Sequence, residues 1–418
     1  MNFYDRMILS VVAEPVRKEW ALSDSTLGLL GTAFTLLYAF VGVPFGRLAD
    51  TWSRKWLLGA GCAVWSVLTA VSGMAQNSWQ LFVARLGVGV GEASCAPAAN
   101  ALIGDLYPPK QRARALSVFM LGLPIGMFLS FLISGLVAHK YGWRMAFYVA
   151  CLPGLILAVM ALWMPEPQRG SSEGRVNPAH RPGSPYLVVL GIPTILWIIV
   201  SGALHNFNMY AATSFIAAFL GRFHALDLKS ASFAASLIFG VSGIIGLLMG
   251  GWASDRFGGA RADGRLLLSA VVMAVAAPLT YLALRQPAGS VALFVVLMGA
   301  GLASVYVYYS SVYAAIQDVV EPGLRGTAMA IYFFAMYVLG ASLGPVGTGM
   351  LSDHFARRAM TEAGATVMGE QFKAVGLHSA MHVIPVLCLV LAVVLYASSR
   401  TVGRDMARLR AWQEASAA

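Results

Sequence analysis

Asp5, Arg6, Arg85 and Glu92 are ionisable residues set inside apolar stretches of the chain. A charge in hydrocarbon is costly, so one retained there is a functional candidate by default. Arg85 and Glu92 lie seven residues apart, two helical turns, and share one face of a helix. The run between them, Leu-Gly-Val-Gly-Val-Gly, is slim enough for another helix to pack closely. Asp5 and Arg6 are adjacent, so on a helix their side chains diverge by about 100°. One can line a cavity while the other pairs sideways. The guanidinium forks of Arg6 and Arg85 match phosphate or carboxylate, which makes both candidates for an anionic headgroup. Asp5 and Glu92 are candidate proton carriers: an anion that takes their arginine partner frees the carboxylate to accept a proton. Static ion pairs among the four are the plain alternative.

The second half of the chain carries no such charges. A shift of 213 residues sets Met298 against Arg85 and Val305 against Glu92. Aligning Asn2-Phe3 with Asn206-Phe207 sets Met209 against Asp5 and Tyr210 against Arg6. That half is aromatic instead, with Tyr306, Tyr308, Tyr309, Tyr313, Tyr332, Phe333, Phe334 and Tyr337; His205, Asn206 and Asn208 add polar groups. Tyr210 and Tyr309 are candidate substrate contacts, although helix packing accounts for the aromatics equally well. One charged half and one aromatic half would suit an amphipathic substrate.

The shift itself comes from a repeated signature. Ala101, Ile103, Asp105, Pro109, Arg112 and Ala115 recur as Ala314, Ile316, Asp318, Pro322, Arg325 and Ala328. Gly46 and Asp50 recur 205 residues on as Gly251 and Asp255. A membrane chain that repeats polar signatures after half its length is a duplicated bundle, the architecture of alternating-access transporters. Asp50, Arg54 and Lys55, Asp105 with Arg112, and Asp255, Asp318 with Arg325 are therefore candidate gating residues. A carboxylate at a membrane interface can cap a helix or pair with arginine, and such pairs can form in one conformation and break in another. Gly46 and Gly251 are expected to let helices approach closely. Gly122, Pro124 and Gly126, and Gly340, Gly344 and Pro345, read as small-residue kinks. The alternative is that the charges only set topology.

All of these residues need membrane-crossing helices to hold them. Of 418 residues, 58% are hydrophobic and 11% charged, with mean hydropathy +0.70; a soluble domain carries about 25% charged residues. Apolar runs of about 20 residues recur, each long enough to span a bilayer as a helix. Strand alternation is absent, so the fold class is an all-α membrane protein. Helices are expected at 25–48, 55–76, 79–105, 112–139, 143–163, 186–220, 230–255, 266–285, 289–318, 325–352 and 375–399. The segment 1–18 is too short and too charged to span alone, so the expectation is a first span truncated at Met1 and twelve spans in all. Residues 1–163 and 186–399 then make two six-helix bundles, 164–185 a polar linker, and 400–418 a basic tail. Arg400, Arg404 and Arg408 give that tail one basic face, which suits anionic headgroups or plain solvent.

The net charge of +10 is spread over short loops, which is the positive-inside pattern and excludes a nucleic-acid partner. It places the linker and both termini in the cytoplasm of a cell-membrane protein. Cys62, Cys95, Cys151 and Cys388 lie in apolar runs without metal spacing and read as packing residues. No nucleophile elbow, metal cluster, cofactor motif or pore motif is visible, so neither an enzyme nor a passive channel is expected.

Gly46-x-x-x-Asp50 followed by Arg54-Lys55, with Gly251-x-x-x-Asp255-Arg256, resembles the loop signature of the major facilitator superfamily. Thr51 stands where a basic residue is common, which puts one ion pair in doubt. Asn2-Phe-Tyr-Asp5-Arg6, the run Arg85 to Ser94, the stretch Pro97 to Asp105, and Glu166-Pro167-x-Arg169-Gly170 resemble Spinster-type transporters of that superfamily. The second half resembles only the superfamily. The resemblance implies two pseudo-symmetric six-helix bundles around a cavity open alternately to either side. It implies export or flipping of lysophospholipids or sphingolipid phosphates, with proton coupling in some members, and Asp5, Arg6, Arg85 and Glu92 as the sites. The expected protein is a monomeric, proton-coupled carrier of an amphipathic anionic lipid; a carrier of small organic acids or multiple drugs is the second reading.

Overall fold

The computed structural model describes residues 1–106, 118–166, 184–321 and 324–417. Among these the regular structure is helical: α1 (Asn2–Trp20), α2 (Asp24–Thr51), α3 (Arg54–Gly73), α4 (Ser78–Glu92), α5 (Cys95–Leu106), α6 (Val118–Tyr141) and α7 (Trp143–Trp163). There follow α8 (Pro185–Leu190), α9 (Pro193–Phe223), α10 (Leu228–Phe257), α11 (Gly264–Leu284), α12 (Val291–Val319), α13 (Thr327–Glu362), α14 (Glu370–Met381) and α15 (Val383–Ala417). Among the described residues ten helical runs are long and apolar enough to cross a membrane, counting α14 and α15 as one. With α1 and the α4–α5 pair they are consistent with twelve crossings.

Local chemistry starts and breaks these helices. Ser23, Asn77 and Asp227 cap α2, α4 and α10 by accepting from the amides of Thr26, Gln80 and Ser230. One helix is expected over 79–105, yet the chain turns at Ala93–Ser94 between α4 and α5. Pro97 has no N–H to return to the Ala93 carbonyl, and the Ser94 hydroxyl takes the Gly91 carbonyl instead (2.8 Å). Glu92 therefore sits at the end of a helix rather than in its middle. The helix expected to stop at 352 runs on to Glu362, and the one expected to stop at 399 runs on to Ala417. Wide π-turns occur at Ser130–Ser134 in α6, Leu237–Val241 in α10 and Met336–Ala341 in α13. The first packs on α1: Ser130 donates to the Tyr4 carbonyl (2.7 Å), and the Ser134 and Tyr4 hydroxyls lie 3.1 Å apart. That contact fixes α1 beside its charged pair.

Packing divides the chain into two compact units that do not follow its sequence halves. The first comprises Met1–Val176, Thr213–Gly240 and Pro345–Ala380; the second comprises Asn177–Ala212, Val241–Gly344 and Met381–Ala418. Within the first unit, glycines allow backbone contact between α2 and α13: a Cβ on Gly28 or Gly349 would collide with the main chain of Pro345 or Asp24. Phe131 of α6 stacks on Phe239 of α10 at 5.7 Å. Within the second unit, the end of α15 docks onto the start of α9. Val402, Asp405 and Leu409 are buried, and Asp405 accepts from the Thr194 amide (3.0 Å) and hydroxyl (2.6 Å). Arg400, Arg404 and Arg408 stay exposed.

Candidate substrate and gating sites

α1 and α4 bring the four intramembrane charges of the first unit together. Arg6 donates its Nε to Glu92 Oε2 at 2.9 Å, with both side chains buried. The Arg6 guanidinium also lies over the rings of Tyr38 (4.2 Å), Phe3 (5.0 Å) and Phe34 (5.1 Å), a cation–π seat that repays part of its dehydration. Arg85 stands 5.1 Å over Phe34. It donates to the main-chain oxygen of Asp5 at 3.3 Å, not to the carboxylate. The slim run of α4 makes this possible: a Cβ on Gly89 would stand 2.7 Å from the Phe34 carbonyl oxygen.

The set is under-satisfied. Both Asp5 carboxyl oxygens and Glu92 Oε1 are buried without a hydrogen bond, as is Arg85 Nε. The Trp65 indole N–H is the neighbouring donor to Asp5 but falls short of a full hydrogen bond. Buried polar atoms left without a hydrogen bond are expensive, and several of them are concentrated here.

The second unit has no counterpart charges: Met209, Met298 and Val305 are buried. His205 of α9 stacks on Tyr308 of α12 (4.0 Å, 11°) and meets Tyr309 edge-on (4.8 Å). The hydroxyls of Ser201, Tyr308 and Tyr332 form a chain at 2.8 and 3.2 Å. Tyr309 is half-buried, as is Tyr210 on the helix that carries His205.

The expected gating residues divide. Gly46, Asp50 and Asp105 are described only as positions in α2 and α5, and Arg112 lies outside the described residues. Arg54 is buried at the start of α3, where its Nε meets the Ala49 carbonyl at 3.3 Å; Lys55 beside it is half-buried. Glu166, past the end of α7, accepts from the Arg54 amide (2.6 Å) and the Ser53 hydroxyl. Burial opposes its charge, but these two donors outweigh it and hold the carboxyl below its usual range. In the second unit, Asp318 is expected to pair with Arg325. Arg265 of α11 holds it instead and lies 3.9 Å from Asp255, while Arg325 stands exposed at the entry to α13. Gly251 faces open space; the close approach falls to Gly250, whose Cβ would meet Val307 at 2.9 Å.

A second charged network, unforeseen from the sequence, ties α1, α2, α9, α13 and α14 together within the first unit. Arg222 of α9 grips Asp24 with both terminal nitrogens (2.7 and 2.7 Å) and gives its Nε to Glu14 (2.8 Å). Arg17 holds Glu14 and, at 2.6 Å, Glu370 of α14. Asp353 of α13 takes the amides of Asp24 (3.1 Å) and Ser25 (2.9 Å), and Ser352 donates to Asp24 (2.6 Å). The available signal was Arg222, the one charge near the end of a long apolar run.

The Major Facilitator Superfamily model matches residues 1–345. An MFS-type efflux pump of Mycolicibacterium smegmatis is 30% identical over 94% of this chain and 89% of its own. Mouse protein spinster homolog 3 is 30% identical over 84% of this chain and 73% of its own. A crystal structure of a bacterial homolog to the human lysosomal transporter Spinster, inward-facing and unoccupied, aligns with TM-score 0.82 at 27% identity over 97% and 95% of the two chains. A D-xylose–proton symporter, at 16% identity and TM-score 0.70, shares the fold. The chain belongs to the major facilitator superfamily and within it to the Spinster-type transporters: a membrane transporter, not an enzyme.

Proposed function

We propose that this chain is a proton-coupled, alternating-access carrier of an amphipathic anionic lipid such as a lysophospholipid or sphingolipid phosphate. The observation that carries this reading is the under-satisfied set Asp5, Arg6, Arg85 and Glu92. A phosphate has two or more oxygens to offer a guanidinium where Glu92 gives Arg6 one bond, so it competes for that partner. Glu92 then carries an unpaired charge in a dry site, and a proton removes the cost. Asp5 is the second carboxyl positioned to take one. Tyr210 and Tyr309 supply surface for the lipid's apolar part.

In this reading residues 1–163 and 186–399 are the two bundles, 164–185 is the cytoplasmic linker, and the protein acts as a monomer with both termini in the cytoplasm. The Arg222–Asp24–Glu14 network then lies on the outer side and holds it shut. Arg54, with Glu166 at its amide, and Asp255 and Asp318 around Arg265 serve the inner side.

The test is Glu92→Gln in proteoliposomes. Accumulation of lysophospholipid driven by a pH gradient should fall at least about tenfold while the protein stays folded; unchanged accumulation overturns the coupling. The similarity to an efflux pump favours one other reading, a multidrug carrier. Neutral and cationic drugs competing with lysophospholipid as strongly as phosphate-bearing lipids would establish it.

A further inference from the structure

A cavity of about 450 Å³ opens beside the charged network of the first unit, which in the proposed function holds its outer end shut. It is of the size that holds small ligands. Val11 and Pro15 of α1, Leu226 after α9 and Ala374 of α14 form its apolar wall. Three carboxylates line it, Glu14, Asp227 and Glu370, against two cations, Lys18 and Arg222. Arg222 gives one N–H from each of its three nitrogens to Glu14 and Asp24, so two carboxylates already share its charge. Lys18 stands on the rim, largely exposed, 3.8 Å from Glu14. Asp227 and Glu370 are about half-exposed toward solvent. Glu370 is shared by Arg17 (2.6 Å) and Lys373 (3.3 Å). Among the described residues Asp227 has only the His139 ring as an ion-pair partner, at 3.5 Å, and is the carboxylate more open to a new cation. Hydrogen bonds from Ser230 to Asp227 hold that carboxyl below its usual range, so it presents a full negative charge.

The cavity is separate from the buried charges. Val11 lies five residues beyond Arg6, about 7.5 Å along α1. Its walls come from α1 on one side and from α9, α10 and α14 on the other, so a molecule seated in it contacts both sets of helices that the network joins. It fits only while they are together.

We propose that this cavity is a regulatory site for an amphipathic organic cation, a protonated amine on an apolar body, which binds the closed end and slows transport. The amine meets Asp227 and Glu370, and the apolar body lies along α1 and α14. Binding one state in preference to the other shifts the population toward it by the difference in affinity.

The experiment measures binding of 3-phenylpropylamine to the full chain in nanodiscs, by calorimetry, beside 3-phenylpropanol and 3-phenylpropanoate. Asp227→Asn removes the charge and keeps the cap of α10; Ala374→Phe fills the cavity. The amine should bind at least about tenfold tighter than the alcohol or the acid. Asp227→Asn should erase most of that preference, and Ala374→Phe should abolish binding. The amine should slow transport over the concentrations at which it binds. No binding, equal binding of alcohol and amine, or undiminished binding to both variants overturns the proposal. Binding without any slowing of transport overturns the regulatory role. The binding measurements do not depend on what the cargo is, so a wrong substrate assignment leaves them intact.

Discussion

Asp5 and Asp24 are both buried aspartates near arginines in the first unit, and they are held in opposite ways. Asp24 accepts from two nitrogens of Arg222 and from the Ser352 hydroxyl. Neither carboxyl oxygen of Asp5 accepts a hydrogen bond, and nearby Arg85 spends a nitrogen on the Asp5 main chain instead. A buried pair repays the desolvation of its charges only when geometry is good and spare lone pairs are met. The network at Asp24 meets that condition and, in the proposed cycle, acts as the lock. The set at Asp5 does not, and in that proposal it is the one that exchanges partners. Burial alone is the same at the two sites; satisfaction is what differs.

The largest expected effect breaks the lock. Arg222→Ala leaves Asp24 and Glu14 facing one another without their shared cation. Removing one partner of a buried pair costs about 3–5 kcal/mol, enough to shift the closed end toward opening by a hundredfold or more. A cysteine placed at the fully buried Thr348, close to the Gly349 contact with α2, reads this out: it should react with a thiol reagent far faster when Arg222 is gone. Protection unchanged by the substitution would mean that helix packing, not charge, holds that end.

The same chemical change at the two aspartates should next lower stability at one and not at the other. Asp24→Asn weakens charge-assisted hydrogen bonds, each worth about 1.5–3 kcal/mol, and should lower thermal stability clearly. Asp5→Asn removes a buried charge that has no hydrogen bond to lose, and should leave stability unchanged or raise it while removing the pH dependence of transport. A comparable loss of stability at both sites would erase the contrast.

The sequence exposes the under-satisfied set because its residues break an apolar pattern. Asp5, Arg6, Arg85 and Glu92 stand out as charges where none are affordable, and the seven-residue spacing puts two of them on one face. The duplicated Gly-Asp and Asp-Pro-Arg signatures likewise give the fold, since repetition survives in spacing. The partnership inside the set is not legible. Whether Arg6 or Arg85 takes Glu92 depends on the turn at Ala93–Ser94 and on how closely α2 approaches Gly89. The lock is hidden for another reason. Glu14, Arg17, Asp24 and Glu370 lie at helix ends, where charges are ordinary, and their meaning comes from contacts across 198 and 353 residues of chain. Asp318 misleads in the same way: Arg325 is near in sequence, but the fold brings Arg265 nearer in space.

The smallest expected effect tests whether satisfaction without burial is enough. Arg144 and Glu19 make a bidentate pair at 2.7 and 3.0 Å, and Glu19 also accepts from the Trp143 indole at 2.6 Å. By geometry the pair rivals Arg222–Asp24. It differs in exposure, with the two side chains 37% and 40% accessible against 3% and 4%. Water screens an exposed pair and solvates whichever partner is left behind, so such pairs contribute about 0–1 kcal/mol. Arg144→Gln should therefore cost less than about 1 kcal/mol in thermal unfolding and leave the cysteine at Thr348 protected. A cost approaching that of Arg222→Ala would mean that the bonding pattern alone sets the strength of these pairs, and that dehydration at Asp24 adds nothing to the lock.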